Sequence, residues 1–406
     1  MSRGAGRPLL GRRTWHGVSY GRTLRLAERS SLLIVGPTQA GKTSSLVVPA
    51  LLGWRGPAVV TSVKNDVIRT TGAWRRSLGT VQVLEPGLDN GLTWNPMEGV
   101  ESLRHALRVA RDFTSGSNAK GDTEFWNSLA TKLVAALMMR ARASGRDIFD
   151  VAALVEHRRL DSWLDFDDRD EATDVVRSFL DHDAKTLDGI LTTAETMLLP
   201  WRFRQRTANV RDVVGGAHTL YLCSPRGEQV HYEPLFRGAL RMVLEEQQRR
   251  FDEARQHALL MVLDEAATVA SLDELDQLAA TLSGLDVTLV TVVQDFAQLV
   301  ARWGPRAATI VNNHTTRVVL GGLADPSVGT FLPELEELSK GARSLSIRRR
   351  PGGTALVVAG RSPVSVIRLR PWWKVRRLQH RGSVDALLPS RDGGCGLLNV
   401  RADTGN

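Results

Sequence analysis

Eight residues near the amino end, Gly36-Pro37-Thr38-Gln39-Ala40-Gly41-Lys42-Thr43, have the types and spacing needed to grip a polyphosphate. The two glycines let the loop curl so that successive N–H groups point inward as an anion nest, at the start of a helix whose dipole also favours negative charge. Lys42 supplies a cation for β- and γ-phosphates, Thr43 a hydroxyl for Mg²⁺, and Ser44 continues the same turn. An octapeptide of this kind also arises by chance. Here an apolar run, Ser31-Leu32-Leu33-Ile34-Val35, precedes it and a helix-competent run, Ser44-Ser45-Leu46-Val47-Val48, follows it. That strand–loop–helix context predicts a site for a nucleoside triphosphate, ATP, with Mg²⁺.

A second constellation lies far along the chain. Residues 259–263, Leu-Leu-Met-Val-Leu, read as a buried strand ending in Asp264-Glu265. The carboxyl ends of parallel strands are where open α/β sheets bind ligands. Asp264 is expected to hold the Mg²⁺ shell directly or through water, and Glu265 to orient and deprotonate an attacking water. An acidic pair after a strand also suits a helix N-terminal cap.

These residues need a sheet to bring them together. Apolar, β-branched runs recur at 32–35, 58–61, 81–84, 219–222, 259–263, 287–293 and 317–320, several separated by helical spacing. The pattern predicts an α/β fold with a mostly parallel, doubly wound sheet. Between 99 and 211 no convincing strand occurs. Helix-like spacing at 102–111, 124–142, 148–156 and 185–198 predicts an inserted all-helical domain. Within it, Asp161, Asp165, Asp167, Asp168, Asp170, Glu171 and Asp174 form an acidic run, read as a solvated face with a docking surface for a basic partner as the alternative. Runs at 344–348 and 354–358 flank a basic tip at 349–353 and predict a hairpin, followed by a strand at 365–369.

Composition sets outer limits. The chain has 406 residues, 42% of them hydrophobic, and a net charge of +9. Of 53 basic residues only seven are lysine, a skew that suits bidentate phosphate contacts to nucleic acid or an anionic membrane, and that genomic composition also explains. Cys223 and Cys395 are too few for a disulfide framework or a zinc site. No apolar stretch approaches the ~18 residues of a membrane span, and the arginine-rich start lacks a signal-peptide core. Residues 1–28 read as a flexible basic arm and 375–406 as a basic, Gly-rich tail, loosely ordered.

From about 29 to 374 the pattern resembles the type IV coupling proteins, the TraG/TraD-type hexameric ATPases of conjugation and type IV secretion. The phosphate loop is followed by Ser62-Val63-Lys64-Asn65-Asp66, similar to an Asp-x-Lys-Gly-Glu element of that family. Asn95-Pro96-Met97 is similar to its Asn-Pro-Leu, and Phe125-Trp126 to the pair that opens its helical domain. Asp264-Glu265-Ala266 matches its second nucleotide motif, Gln294-Asp295 with Gln298-Leu299 its glutamine signature, and 368–374 its closing strand and aromatic pair.

The resemblance implies a RecA-like P-loop NTPase domain split over 29–98 and 212–374, with 99–211 inserted. It also implies a homo-hexamer that hydrolyses ATP and recruits or translocates single- or double-stranded DNA. Relaxase or another secretion substrate would be a partner, as would membrane or secretion-channel proteins. Gln294, ending the 287–293 run, would contact the γ-phosphate or attacking water; capping the following helix is its alternative role. Lys64, Arg69 and 348–350 are candidate DNA contacts.

Departures are as informative. Where the family usually has an Arg-Gly pair, this chain has Ser283-Gly284, so either another arginine substitutes, with Arg317 and Arg306 as candidates, or hydrolysis is weak. The family's transmembrane helices are not found, which predicts a cytoplasmic location, with peripheral attachment at the inner face of the membrane left open. Two other functions fit less of the pattern: a nucleotide-dependent adaptor without processive translocation, and a duplex DNA pump of the FtsK/HerA group, which generally lacks a Phe-Trp-headed insertion.

Overall fold

Strands of a sheet covered on both faces are buried on both sides and therefore read as continuous apolar runs. Ser31–Val35, Ala58–Ser62, Thr219–Cys223, Leu259–Leu263 and Val287–Val293 are such strands, buried at every position. The computed structural model describes residues 7–15, 18–27, 29–63, 65–86, 91–114, 121–163, 170–224, 227–269, 272–333, 352–360 and 362–382. Numbered in chain order, the strands are β1 Leu9–Trp15, β2 Val18–Arg25, β3 Ser31–Val35, β4 Ala58–Ser62, β5 Val81–Leu84, β6 Leu92–Trp94 and β7 Arg206–Ala208, then β8 Thr219–Cys223, β9 Leu259–Leu263, β10 Val287–Val293, β11 Thr316–Leu320, β12 Thr354–Ala359 and β13 Ser365–Arg368.

The chain divides into two compact units. The first comprises Met1–Val83, Val210–Arg226 and Val243–Asn406. Its sheet runs β2-β1-β13-β12-β11-β3-β10-β9-β4-β8-β5. From β11 to β8 the strands pair in parallel, and β12, β13, β1 and β2 continue the sheet antiparallel. Side chains of Leu32, Ile34, Val60, Val262, Val290 and Val318 form the middle of its core. Arg75 is also fully buried there, its guanidinium held by Thr219 Oγ1 at 2.7 Å, Trp54 O at 2.9 Å and Gly56 O at 2.6 Å.

Two expectations about the chain ends are corrected. The segment read as a flexible arm contains β1 and β2, an antiparallel hairpin joined to the sheet through β13. Its arginines and glycines hid it, yet Gly11, at φ +150°, sits where a Cβ would meet Arg368 O at 2.7 Å, at a register shift between the two strands. The start of the tail is also packed. Leu378, in the short helix Arg376–Gln379, is buried with Val48 and Leu52, and Arg381 donates to Leu52 O at 2.7 Å.

The second unit comprises Leu84–Asn209 and Gly227–Met242, so it begins earlier than 99 and takes in a later segment as well. Helices Leu103–Arg111, Asp122–Ala143, Ile148–Glu156, Glu171–Leu180 and Ala184–Leu198 make up most of it. It is not all helical, because β6 and β7 pair in parallel. Trp201 anchors its core, packing on Phe113 at 4.6 Å and donating from its indole to Trp94 O at 2.8 Å. In the acidic run, Asp170 caps the helix Glu171–Leu180 and accepts from Arg140 at 2.7 Å, while Asp165, Asp167 and Asp168 lie outside the described residues. So do Lys64, Cys395 and 334–351, which contain the Arg348–Arg350 tip and the first half of the expected hairpin. Its second half, β12, pairs with β11 and β13.

Candidate active site

Register decides which residues can meet at the carboxyl end of this sheet. β10 lies between β3 and β9, with Val293 opposite Val35 and Thr291 opposite Leu263. The residues that follow each strand, the Gly36 loop, Gln294 and Asp264-Glu265, must therefore emerge side by side. Gly36 N–H donates to Val293 O at 3.4 Å, and Ala266 N–H to Val292 O at 3.1 Å, which ties both loops to the end of β10.

The loop from β3 has the shape an anion nest requires. Gln39 at φ +62° and Gly41 at φ +89° turn its backbone, and a π-helical turn, Thr43–Val47, runs directly into the helix Val48–Gly53. The Lys42 ammonium folds over the loop, donating to Gly36 O and, at 3.0 Å, to Pro37 O. Thr43 Oγ1 donates to Asp264 Oδ2 at 3.4 Å. Thr61 Oγ1, from β4, donates to Asp264 O at 3.1 Å and fixes that backbone from the other side.

Burial above all pushes the Asp264 carboxyl up to about 6; the neighbouring Glu265 charge adds to this, and Lys42 opposes it. Glu265 stands at φ +54°, a left-handed conformation that costs a residue with a Cβ on the order of 1 kcal/mol and recurs at functional sites. Neither acid caps a helix here. The chain turns at 264–268, where Thr268 N–H and Val269 N–H both donate to Glu265 O, and the next helix, Leu275–Thr281, starts after Glu274. Nor does Gln294 cap the helix Phe296–Trp303: Asp295 accepts from Gln298 N–H, and the Gln298 side chain accepts from Gln294 N–H at 2.9 Å.

These groups line one cavity of about 430 Å³, in the size range of ligand pockets. From the loop come Pro37, Thr38, Gln39, Gly41, Lys42, Thr43 and Ser44, and from the facing strands Asp264, Glu265 and Gln294. Gly36 and Ala40 belong to the loop without lining the cavity. A buried carboxylate beside a hydroxyl, at the mouth of a cationic nest, is a donor set that could hold a hard divalent cation next to phosphate oxygens. The sequence reading missed Asp66 and Thr70 as lining residues, and it gave no role to Trp372 and Trp373. Signals existed for three of them, since Asp66 ends the altered Ser62–Asp66 element and the tryptophans are the closing aromatic pair. Neither candidate arginine lines the cavity: Arg306 pairs with Asp276 at 3.7 Å, and Arg317 lies within β11 opposite Leu33 and Val358. Ser283 and Gly284 occupy a 3-10 turn, Leu282–Leu285.

Residues 10–334 match the model of the family described as type IV secretory system conjugative DNA transfer. The chain belongs to that family. It is 24% identical over 323 residues to the conjugal transfer protein TraG of Escherichia coli, covering 69% of this chain and 50% of that one. Protein VirD4 of Rhizobium radiobacter is 22% identical over 403 residues, covering 89% of this chain and 58% of that one. The chain thus spans about half the length of these relatives. Among solved structures, the unbound bacterial conjugative coupling protein TrwBdeltaN70 superposes with a TM-score of 0.66 at 18% identity, covering 89% of each chain. TrwB in complex with ADP and Mg²⁺ gives 0.64 at 17% identity, covering 90% of this chain and 95% of that one. The fold is accordingly that of the TrwB coupling-protein structures, a mostly parallel sheet with helices. Among the described residues, no helix is long and apolar enough to cross a membrane.

Proposed function

We propose that this chain is the nucleotide-hydrolysing part of a conjugative coupling protein, which binds ATP with Mg²⁺ and uses its turnover to recruit or move DNA toward a type IV secretion channel. The observation that carries the reading is the joint lining of one cavity by Lys42, Thr43, Asp264, Glu265 and Gln294. Lys42 would leave its loop carbonyls for the β- and γ-phosphates, while the nest amides hold the chain of phosphates in place. Thr43 and Asp264 would hold Mg²⁺, which when bound neutralises developing phosphate charge. Glu265 would take the proton of the attacking water, and the Gln294 amide would orient that water. Family membership supports DNA and a secreted DNA–protein substrate such as a relaxase as partners, and a hexameric ring as the working form.

A second reading, a nucleotide-dependent adaptor that binds its partners without processive translocation, is favoured by one feature. Arg306 is engaged by Asp276, Arg317 sits in a strand, and Ser283 stands at the family's arginine position. DNA-stimulated ATP turnover separates the two. A motor accelerates several-fold on DNA, loses that activity with Lys42→Ala and displaces a protein roadblock. An adaptor shows flat turnover and no displacement.

A further inference from the structure

The amino ends of the same strands border a second cavity, of about 540 Å³, whose lining includes Ala258 just before β9, Asp286 just before β10 and Thr288 within it. Its charge is one-sided. Arg7, Arg25, Arg29, Arg377 and Arg381 line it, against the single carboxylate of Asp286. Asp286 pairs with Arg29 at 3.1 Å, and among the described residues Arg7, Arg25, Arg377 and Arg381 meet no carboxylate.

Neutral carbonyls position these guanidiniums without cancelling their charge. Arg7 Nε donates to Leu26 O and Arg25 Nη1 to Arg7 O, each at 3.0 Å. Arg381 donates to Leu52 O at 2.7 Å and lies 4.2 Å over the Trp74 ring. Burial, and repulsion from Arg377 and Arg55, hold the Arg381 guanidinium below its ordinary value. Trp54 and Leu378, both buried, contribute apolar lining, and low polarity strengthens any charge contact made there.

Like charges gathered around a concave, partly apolar space cost free energy unless an anion occupies it, and planar guanidinium forks match phosphate oxygens two at a time. We propose that this cavity is a second anion site, which takes a ligand carrying more than one phosphate group. A single phosphate would leave most of the five arginines without a contact, because they come from two distant segments of chain. Such chemistry has two sources, a free oligophosphate or the phosphates of a lipid headgroup. The site is separate from the triphosphate cavity and does not depend on its assignment.

The test uses the full chain with Lys42→Ala, so that the phosphate loop does not contribute, titrated calorimetrically with inorganic tripolyphosphate. Binding should persist, and adding Arg377→Glu should weaken it at least about tenfold. The Arg377 side chain is exposed and makes no hydrogen bond among the described residues, so the variant should stay folded, with a thermal midpoint no lower than that of Lys42→Ala alone. Arg104→Glu, an equal charge change on an exposed helix of the other unit, should leave the affinity within about twofold. Co-sedimentation with vesicles containing cardiolipin, whose headgroup carries two phosphates, that tripolyphosphate competes away and Arg377→Glu abolishes would identify a headgroup as the source. Tripolyphosphate binding with no co-sedimentation would identify a free oligophosphate. No binding in the Lys42→Ala chain, or equal effects of Arg377→Glu and Arg104→Glu, would overturn the site and leave an ordinary solvated basic surface.

Discussion

Thr43 Oγ1 and Asp264 Oδ2 lie 3.4 Å apart although 221 positions separate them in sequence. Three strands create that proximity. β3 delivers the hydroxyl, β9 the carboxylate, and β10 between them fixes the spacing by pairing with both. Any cation held by one of these side chains would be within reach of the other, and the loop proposed to cradle phosphate ends at Thr43. Sheet register is thus the physical origin of the site.

Glu265 should be separable from binding. Glu265→Gln keeps the shape and the turn at φ +54°, and leaves Thr43 and Asp264 untouched. We expect ATP affinity within about threefold of wild type and turnover lower by about 10²-fold or more, since only proton abstraction is lost. Single-turnover hydrolysis alongside equilibrium binding checks this. Normal turnover would remove Glu265 from the chemistry.

Asp264 should cost stability. Its carboxyl is raised from an ordinary 3.8 to about 6, first by burial and then by Glu265. For an acid with a raised native value, the penalty is absent below about pH 4, grows as pH rises through about 6 and is complete above it. At about 1.4 kcal/mol per unit the full penalty is at most about 3 kcal/mol. Asp264→Asn without nucleotide or Mg²⁺ should therefore be about 1–3 kcal/mol more stable at pH 8, the gain shrinking toward pH 5. Urea midpoints across that range test it, and a gain independent of pH would contradict it.

Arg75 should be intolerant of a shorter cation. Its fork satisfies Trp54 O, Gly56 O and Thr219 Oγ1 together, which a lysine ammonium cannot reproduce. Both Arg75→Lys and Arg75→Met should lose about 2–4 kcal/mol, by leaving buried carbonyls unpaired. Chemical denaturation of the two variants, compared with Arg76→Lys next to it, provides the measurement.

Much of the sheet was legible because buried parallel strands advertise themselves as apolar runs. The 81–84, 259–263 and 287–293 runs match β5, β9 and β10 at both ends. The helix predicted at 148–156 likewise matches Ile148–Glu156, whose Asp147 capping box is a local signal. What stayed hidden depends on distant partners. β1 and β2 are edge elements, rich in arginine and weak in pattern, and acquire their meaning only by pairing with a strand more than 350 residues later. Arg75 sits in the last turn of a helix, where a basic residue ordinarily faces water, and only the fold reveals the carbonyls around it. Asp66, Trp372 and Trp373 stand in segments that the family resemblance marks, but only the fold brings them to the cavity. The beginning of the second unit at Leu84, and its share of the helix Gln229–Asp252, leave no compositional mark.

The central claim is that Thr43 and Asp264 jointly hold the cation that accompanies a triphosphate on the Lys42 loop. The direct measurement is a double-mutant cycle on ATP affinity with and without Mg²⁺, using Thr43→Val, Asp264→Asn and the pair. Wild type should bind ATP at least about tenfold more tightly with Mg²⁺. Each single variant should lose most of that gain, and the double little more than either, because neighbours serving one ligand are not additive. Independent, additive losses, or a Mg²⁺ effect undiminished in the double variant, would contradict the account.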